Sequence, residues 1–98
     1  MITLQQRLQR HPDVVDTELD SHETVLLHLE TQLYYSLNAT GTRIWKSLTQ
    51  GLSVQEISDR LQQEFEVDAD RANASVLALA EDLARQRLVV FDDRAARG

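Results

Sequence analysis

The hydrophobic pattern of this chain changes period once, near Asn38, and that change limits what it can fold into. Before it, apolar residues alternate. Val25, Leu27 and Leu29 fall on one face of an extended segment and Thr24, Leu26 and His28 on the other; further on, Leu33, Tyr35 and Leu37 oppose Gln32, Tyr34 and Ser36. Val14, Val15 and Leu19 mark a weaker stretch ahead of these. Alternation of this kind belongs to half-buried β-strands. The connections at Asp20-Ser21 and Glu30-Thr31 are too short for anything but antiparallel hairpins. The pattern predicts a three-stranded antiparallel meander over residues 13–37.

After Asn38 the apolar spacing becomes helical. Asn38 can cap a helix carrying Ile44, Trp45 and Leu48, which Gly51 is placed to stop in a left-handed turn. Ser53-Val54-Gln55-Glu56 is a capping box, in which the serine oxygen accepts from the amide three residues on and the glutamate reaches back. The helix that follows has one apolar stripe, Val54, Ile57, Leu61 and Phe65. A third helix begins after an acidic turn in which Asp68 or Asp70 caps, and it buries Ala72, Val76, Leu79, Ala80 and Leu83. Leu88 to Phe91 is a short strand or packed tail.

Three strands followed by three helices make an α+β domain with the helices on one face of the sheet. The second and third helices outline a helix-turn-helix, and the sheet beside them completes a winged-helix outline. Pro12 divides a polar N-terminal segment from the rest, and Ile2, Leu4 and Leu8 either line one helical turn or belong to a loose stretch. The expected organisation is a flexible segment over residues 1–12, a folded domain over 13–91 and a flexible tail over 92–98. With 98 residues and no cysteine, the chain has neither a disulfide framework nor a thiolate, and a large enclosed active site would compete with its core. No apolar run suits a signal peptide or a membrane span, so a soluble, cytoplasmic protein without membrane contact is expected.

Charge narrows the function classes. Ten Lys and Arg against sixteen Asp and Glu give a net charge of −6. Residues 13–42 hold Asp13, Asp16, Glu18, Asp20, Glu23 and Glu30 with no Lys or Arg. Nucleic-acid binding needs a basic face. The exposed start of the third helix instead offers Arg71, Asn73 and Ser75 bordered by Glu66, Asp68 and Asp70. A DNA-binding winged-helix regulator is therefore the alternative, and no nucleic-acid partner is expected. No catalytic constellation stands out, and the chain is not expected to be an enzyme. Of the three histidines, His11, His22 and His28, the last two share a strand at even spacing, but no further ligand motif joins them, so neither a metal nor another cofactor is expected.

Peptide capture by strand addition fits better. The third strand comes last in the meander, which leaves one edge free for an extended chain. Tyr34 points away from Leu33, Tyr35 and Leu37, and on the third helix Leu77 lies off the buried stripe on a flank shared with Asn73 and Ala84. These residues are the candidate walls of a groove.

The run Tyr34-Tyr35-x-Leu37-Asn38-x-x-Gly41-x-x-Ile44-Trp45, with Val25 to Glu30 before it and the Ser53-capped helix after it, resembles the PqqD family. That family comprises the precursor-binding protein of pyrroloquinoline quinone synthesis and the recognition domains of other ribosomally made, modified peptides. The resemblance runs from Val14 to Val89. It implies that a leader peptide adds as a fourth strand along Leu33, Tyr34, Tyr35 and Ser36 and lies against the third helix, where helical geometry points to Asn73, Leu77 and Ala84. It also implies an adaptor that presents the peptide to a modifying enzyme, such as a radical-SAM protein or a leader peptidase. The chain departs from its relatives in the hairpin before Tyr34, where Thr31-Gln32 stands in place of the common glycine or asparagine.

Overall fold

The computed structural model describes residues 2–20 and 22–91. In chain order it runs β1 (Leu8–Arg10), β2 (Val14–Asp20), β3 (Glu23–His28), β4 (Tyr34–Leu37), α1 (Ala39–Thr49), α2 (Val54–Phe65), α3 (Ala69–Arg85) and β5 (Val89–Phe91). Strands β2, β3 and β4 form the expected antiparallel meander, and the three helices follow it, giving an α+β fold. The tail expected over residues 92–98 lies outside the described residues.

The helix boundaries follow local chemistry. Asn38 accepts from the Gly41 amide at the start of α1, Ser53 and Glu56 complete both halves of the capping box at α2, and Asp68 accepts from the Arg71 amide at α3. Gly51, with φ +88°, lets the chain leave α1 in the left-handed region that side chains disfavour. At Gly41 a Cβ would meet Leu37 at 3.2 Å, so its absence allows α1 to start hard against β4. Gln32 holds φ 61° without being a glycine, a strained conformation that the β3–β4 turn accepts.

The core lies between the sheet and the helices. Leu26, Leu37, Ile44, Trp45, Leu48, Ile57, Val76, Ala80 and Leu83 are all nearly inaccessible to water. Each fully buried leucine or isoleucine contributes about 1.5–3 kcal/mol relative to exposure. The indole Nε1 of Trp45 donates to Asp16 at 2.9 Å, which satisfies the one polar atom that a buried tryptophan brings. Phe65, the last member of the α2 stripe, is exposed.

Two features differ from the pattern of the sequence. On β3 the less apolar side, Thr24, Leu26 and His28, faces the core, while Val25 and Leu27 are half-buried and Leu29 is exposed on the other. His28 fits there because its Nδ1 accepts from the Glu30 and Thr31 amides and its ring lies 4.8 Å from that of His11. The N-terminal segment is also structured: β1 pairs antiparallel with β5, Leu8 opposite Phe91, and Ile2 and Leu8 are buried. Carbonyls of Leu4 and Gln6 accept from the Gln55 and Val54 amides, supplying partners that the first turn of α2 cannot find within the helix. Three-residue strands are too short to show a period, which explains why alternation does not reveal them.

Candidate functional site

The sheet order β2-β3-β4 leaves β4 at an edge, paired with β3 on one side only among the described strands. The strand reads Tyr34-Tyr35-Ser36-Leu37 and carries no charge. Its register places Tyr34 opposite Leu27, Tyr35 opposite Leu26 and Ser36 opposite Val25, so Tyr35 and Leu37 turn to the core while Tyr34 and Ser36 turn outward. Leu33 precedes the strand, is exposed, and offers its carbonyl to the His28 amide at 3.1 Å.

Between this edge and α3 lies a cleft of about 580 Å³. One wall is formed by Tyr35, Ser36 and Leu37 with the start of α1, including Thr40 and Ile44; the other is formed by Ser75, Ala78, Leu79 and Asp82 of α3. Ile44 and Leu37 make an apolar floor, and Ser75, Thr40 and Asp82 supply polar groups around it. The short side chains of Ser75 and Ala78 leave the space between helix and strand unfilled. The Tyr35 hydroxyl donates a hydrogen bond across the gap to the Asp82 carboxylate. Burial of the Tyr35 ring, then that hydrogen bond and the carboxylate charge, push the phenol up to about 12.

An uncharged strand edge with free amides and carbonyls, facing an apolar-floored cleft, suits an extended polypeptide. Backbone pairing supplies attraction, and the cleft accepts the side chains that alternate to its side. Among the described residues no group of three or more His, Asp or Glu side chains is placed to hold a metal ion. His28 is buried, whereas His22 lies exposed ahead of β3, so the two do not form a pair.

Tyr35 and Ser36 line the cleft, with Tyr34 and Leu33 beside it. Asn73, Leu77 and Ala84 do not. Asn73 accepts from the Ser58 hydroxyl of α2, Leu77 packs against the core, and Ala84 sits with Ile2, Arg85 and Phe91 in a separate depression. The helix presents its opposite flank, Ser75, Ala78, Leu79 and Asp82, to the strand. Leu79, expected within the buried stripe, is half-buried and lines the cleft instead. Helical spacing defines two flanks beside a buried stripe but not which one meets the sheet. The available signal was the run of small side chains at Ser75 and Ala78 next to Leu79, together with Ser58 and Asn73 as a polar pair between helices.

Among the described residues no helix is long and apolar enough to cross a membrane. The family described as coenzyme PQQ synthesis protein D (PqqD) matches the chain over residues 23–89. Similar folds occur in two solved structures. One, TbiB1 in complex with the TbiA(beta) leader peptide, is 34% identical, with a TM-score of 0.78 over 83% of this chain and 93% of that one. The other, a lasso peptide synthetase B1 complexed with the leader peptide, is 25% identical, with a TM-score of 0.79 over 86% of this chain and 98% of that one. No curated protein sequence matches the chain.

Proposed function

The chain belongs to the PqqD family, and we propose that it binds the leader region of a ribosomally made precursor peptide as a fourth strand along β4 and presents it to a modifying enzyme. The observation that carries this proposal is the uncharged, unpaired edge of β4 facing a cleft walled by α3, in a fold shared with two leader-bound proteins. Leu33, Tyr34, Tyr35 and Ser36 supply the docking strand, and Ser75, Leu79 and Asp82 meet the side chains that turn toward the helix. Binding raises the effective concentration of the attached core peptide at the enzyme, to the millimolar range for a short flexible connection. The adaptor itself catalyses nothing in this scheme. Its enzyme is a radical-SAM protein or a leader peptidase, and its compartment is the cytoplasm.

Calorimetric titration with synthetic leader peptides from neighbouring precursor genes tests the proposal. Saturable one-site binding, with amide protection gained at Tyr34 and Ser36, whose N–H groups face the open edge, is the expected result. Failure of every neighbour-encoded peptide to saturate the chain overturns it. A DNA-binding role predicts a shift of duplex DNA at low salt, where even non-specific binding shows. The acid-rich block over residues 13–42 and Asp68 and Asp70 at the start of α3 oppose such binding.

A further inference from the structure

The side of the sheet turned away from the helices is more apolar than a solvent-facing sheet requires. One row across it joins Val15, Leu27 and Tyr34, and the next joins Thr17, Val25 and Ser36. Val15 is 45%, Leu29 54% and Tyr34 72% exposed. Leu27, Leu29, Gln32 and Tyr34 enclose a depression of about 420 Å³ on this side. The sheet ends are acidic, with Asp20 and Glu23 at one hairpin and Glu30 at the other. Among the described residues the ion pairs engage Asp16, Glu18, Glu56, Glu64 and Asp82, and none engages Asp20, Glu23 or Glu30.

We propose that this outer face docks the enzyme that acts on the bound peptide, through an apolar patch on that enzyme flanked by Lys or Arg. The inference rests on the peptide-binding proposal above and extends it. A fourth strand along β4 continues the outer face, so every second side chain of the peptide lies in line with Tyr34 and Ser36. The enzyme then reads adaptor and peptide as one surface and engages the adaptor more tightly once it is loaded. Two observations argue against a second copy of this chain as the occupant. The acids at both ends would face their own kind. Moreover, three strands of about six residues cover only about 300 Å², well short of the roughly 800 Å² per partner of a stable complex. A patch of that size suits a transient encounter that the peptide strand enlarges.

The test uses the full chain, a leader peptide that binds it, and the purified enzyme that acts on that peptide. Biolayer interferometry measures enzyme affinity with and without peptide, and calorimetry measures peptide affinity. The expected results are at least threefold tighter enzyme binding to the loaded adaptor, and at least tenfold weaker binding to the Val15→Glu, Leu29→Glu double variant. That variant should keep peptide affinity within twofold of the parent. Glu23→Lys with Glu30→Lys lies outside the apolar rows and gives a second variant should the first fail to fold; a fivefold loss at low salt is expected. Unchanged enzyme affinity in the folded variants, equal affinity with and without peptide, or no enzyme binding to the peptide-loaded parent overturns the inference while the peptide-binding proposal stands. Sedimentation showing a dimer that the double variant abolishes reassigns the face to a second copy and also overturns it. If no leader binds the parent, both proposals fall.

Discussion

The two edges of the three-stranded sheet are built on opposite principles. Strand β2 carries Asp16, Glu18 and Asp20 within seven residues. Two of these acids are pinned over the core side of the sheet, Asp16 by Arg10 at 2.9 Å and Glu18 by Lys46 at 2.6 Å. Charges on an edge strand discourage another chain from pairing there, because they would have to leave water or their partners. Strand β4 has no such defence: Tyr34, Tyr35, Ser36 and Leu37 leave its edge neutral, with α3 standing off across a cleft. The contrast teaches that an open edge is a matter of what is withheld. The same sheet guards one edge with charge and leaves the other neutral.

The largest expected effect comes from charging the open side. Leu79→Asp places a carboxylate in the apolar cleft and should weaken leader binding roughly thirtyfold, about 2 kcal/mol, by calorimetry. An unchanged affinity would move the ligand away from β4. Next, Asp16→Ala loosens the guarded edge. It removes the acceptor of the Trp45 Nε1 and the partner of Arg10, and should cost about 1.5 kcal/mol in urea unfolding, mostly for the orphaned indole N–H.

Ser36→Asp gives β4 the device that protects β2, and a roughly tenfold loss of leader affinity, about 1.4 kcal/mol, is expected with stability nearly unchanged. The smallest effect is that of Tyr35→Phe, which keeps the ring but removes its bond to Asp82; about 1 kcal/mol of stability should be lost. The raised phenol pKa favours the protonated form in the folded state. Its contribution is therefore fully present below the ordinary tyrosine pKa of 10.0 and disappears as pH rises through about 12. The phenylalanine variant should lack that alkaline loss of stability, as unfolding followed against pH will show.

Much of this asymmetry is legible in the amino-acid sequence. The change of period at Asn38, the capping box at Ser53 and the stop at Gly51 are short-range signals, and each marks the boundary it suggests. The uncharged third strand and the acid-rich first one are visible as composition alone. Long-range geometry decided the rest. Alternation gives β3 two faces without stating which one the helices cover, and the chain buries His28 where the apolar count favours Val25, Leu27 and Leu29. The flank of α3 that meets the strand depends on how α3 packs against α2, and Asn73 is spent on that contact through Ser58. Strands β1 and β5 have three residues each and make sense only as a pair.

That pair also bears on the order of folding. Leu8 and Phe91 face each other across the β1–β5 ribbon, so this small contact closes a loop holding nearly all of the described chain. Joining ends about eighty residues apart costs conformational entropy that three residue pairs cannot offset alone, whereas the meander closes loops of only a few residues. Loop-closure entropy therefore predicts that the hairpins form early and that the ribbon shuts last, after α3 has brought Leu88 into position. In pulsed hydrogen exchange during refolding, the His11 amide, which donates to Leu88, should gain protection later than the amides between β2 and β3. Simultaneous protection would mean that the clasp forms together with the body it fastens.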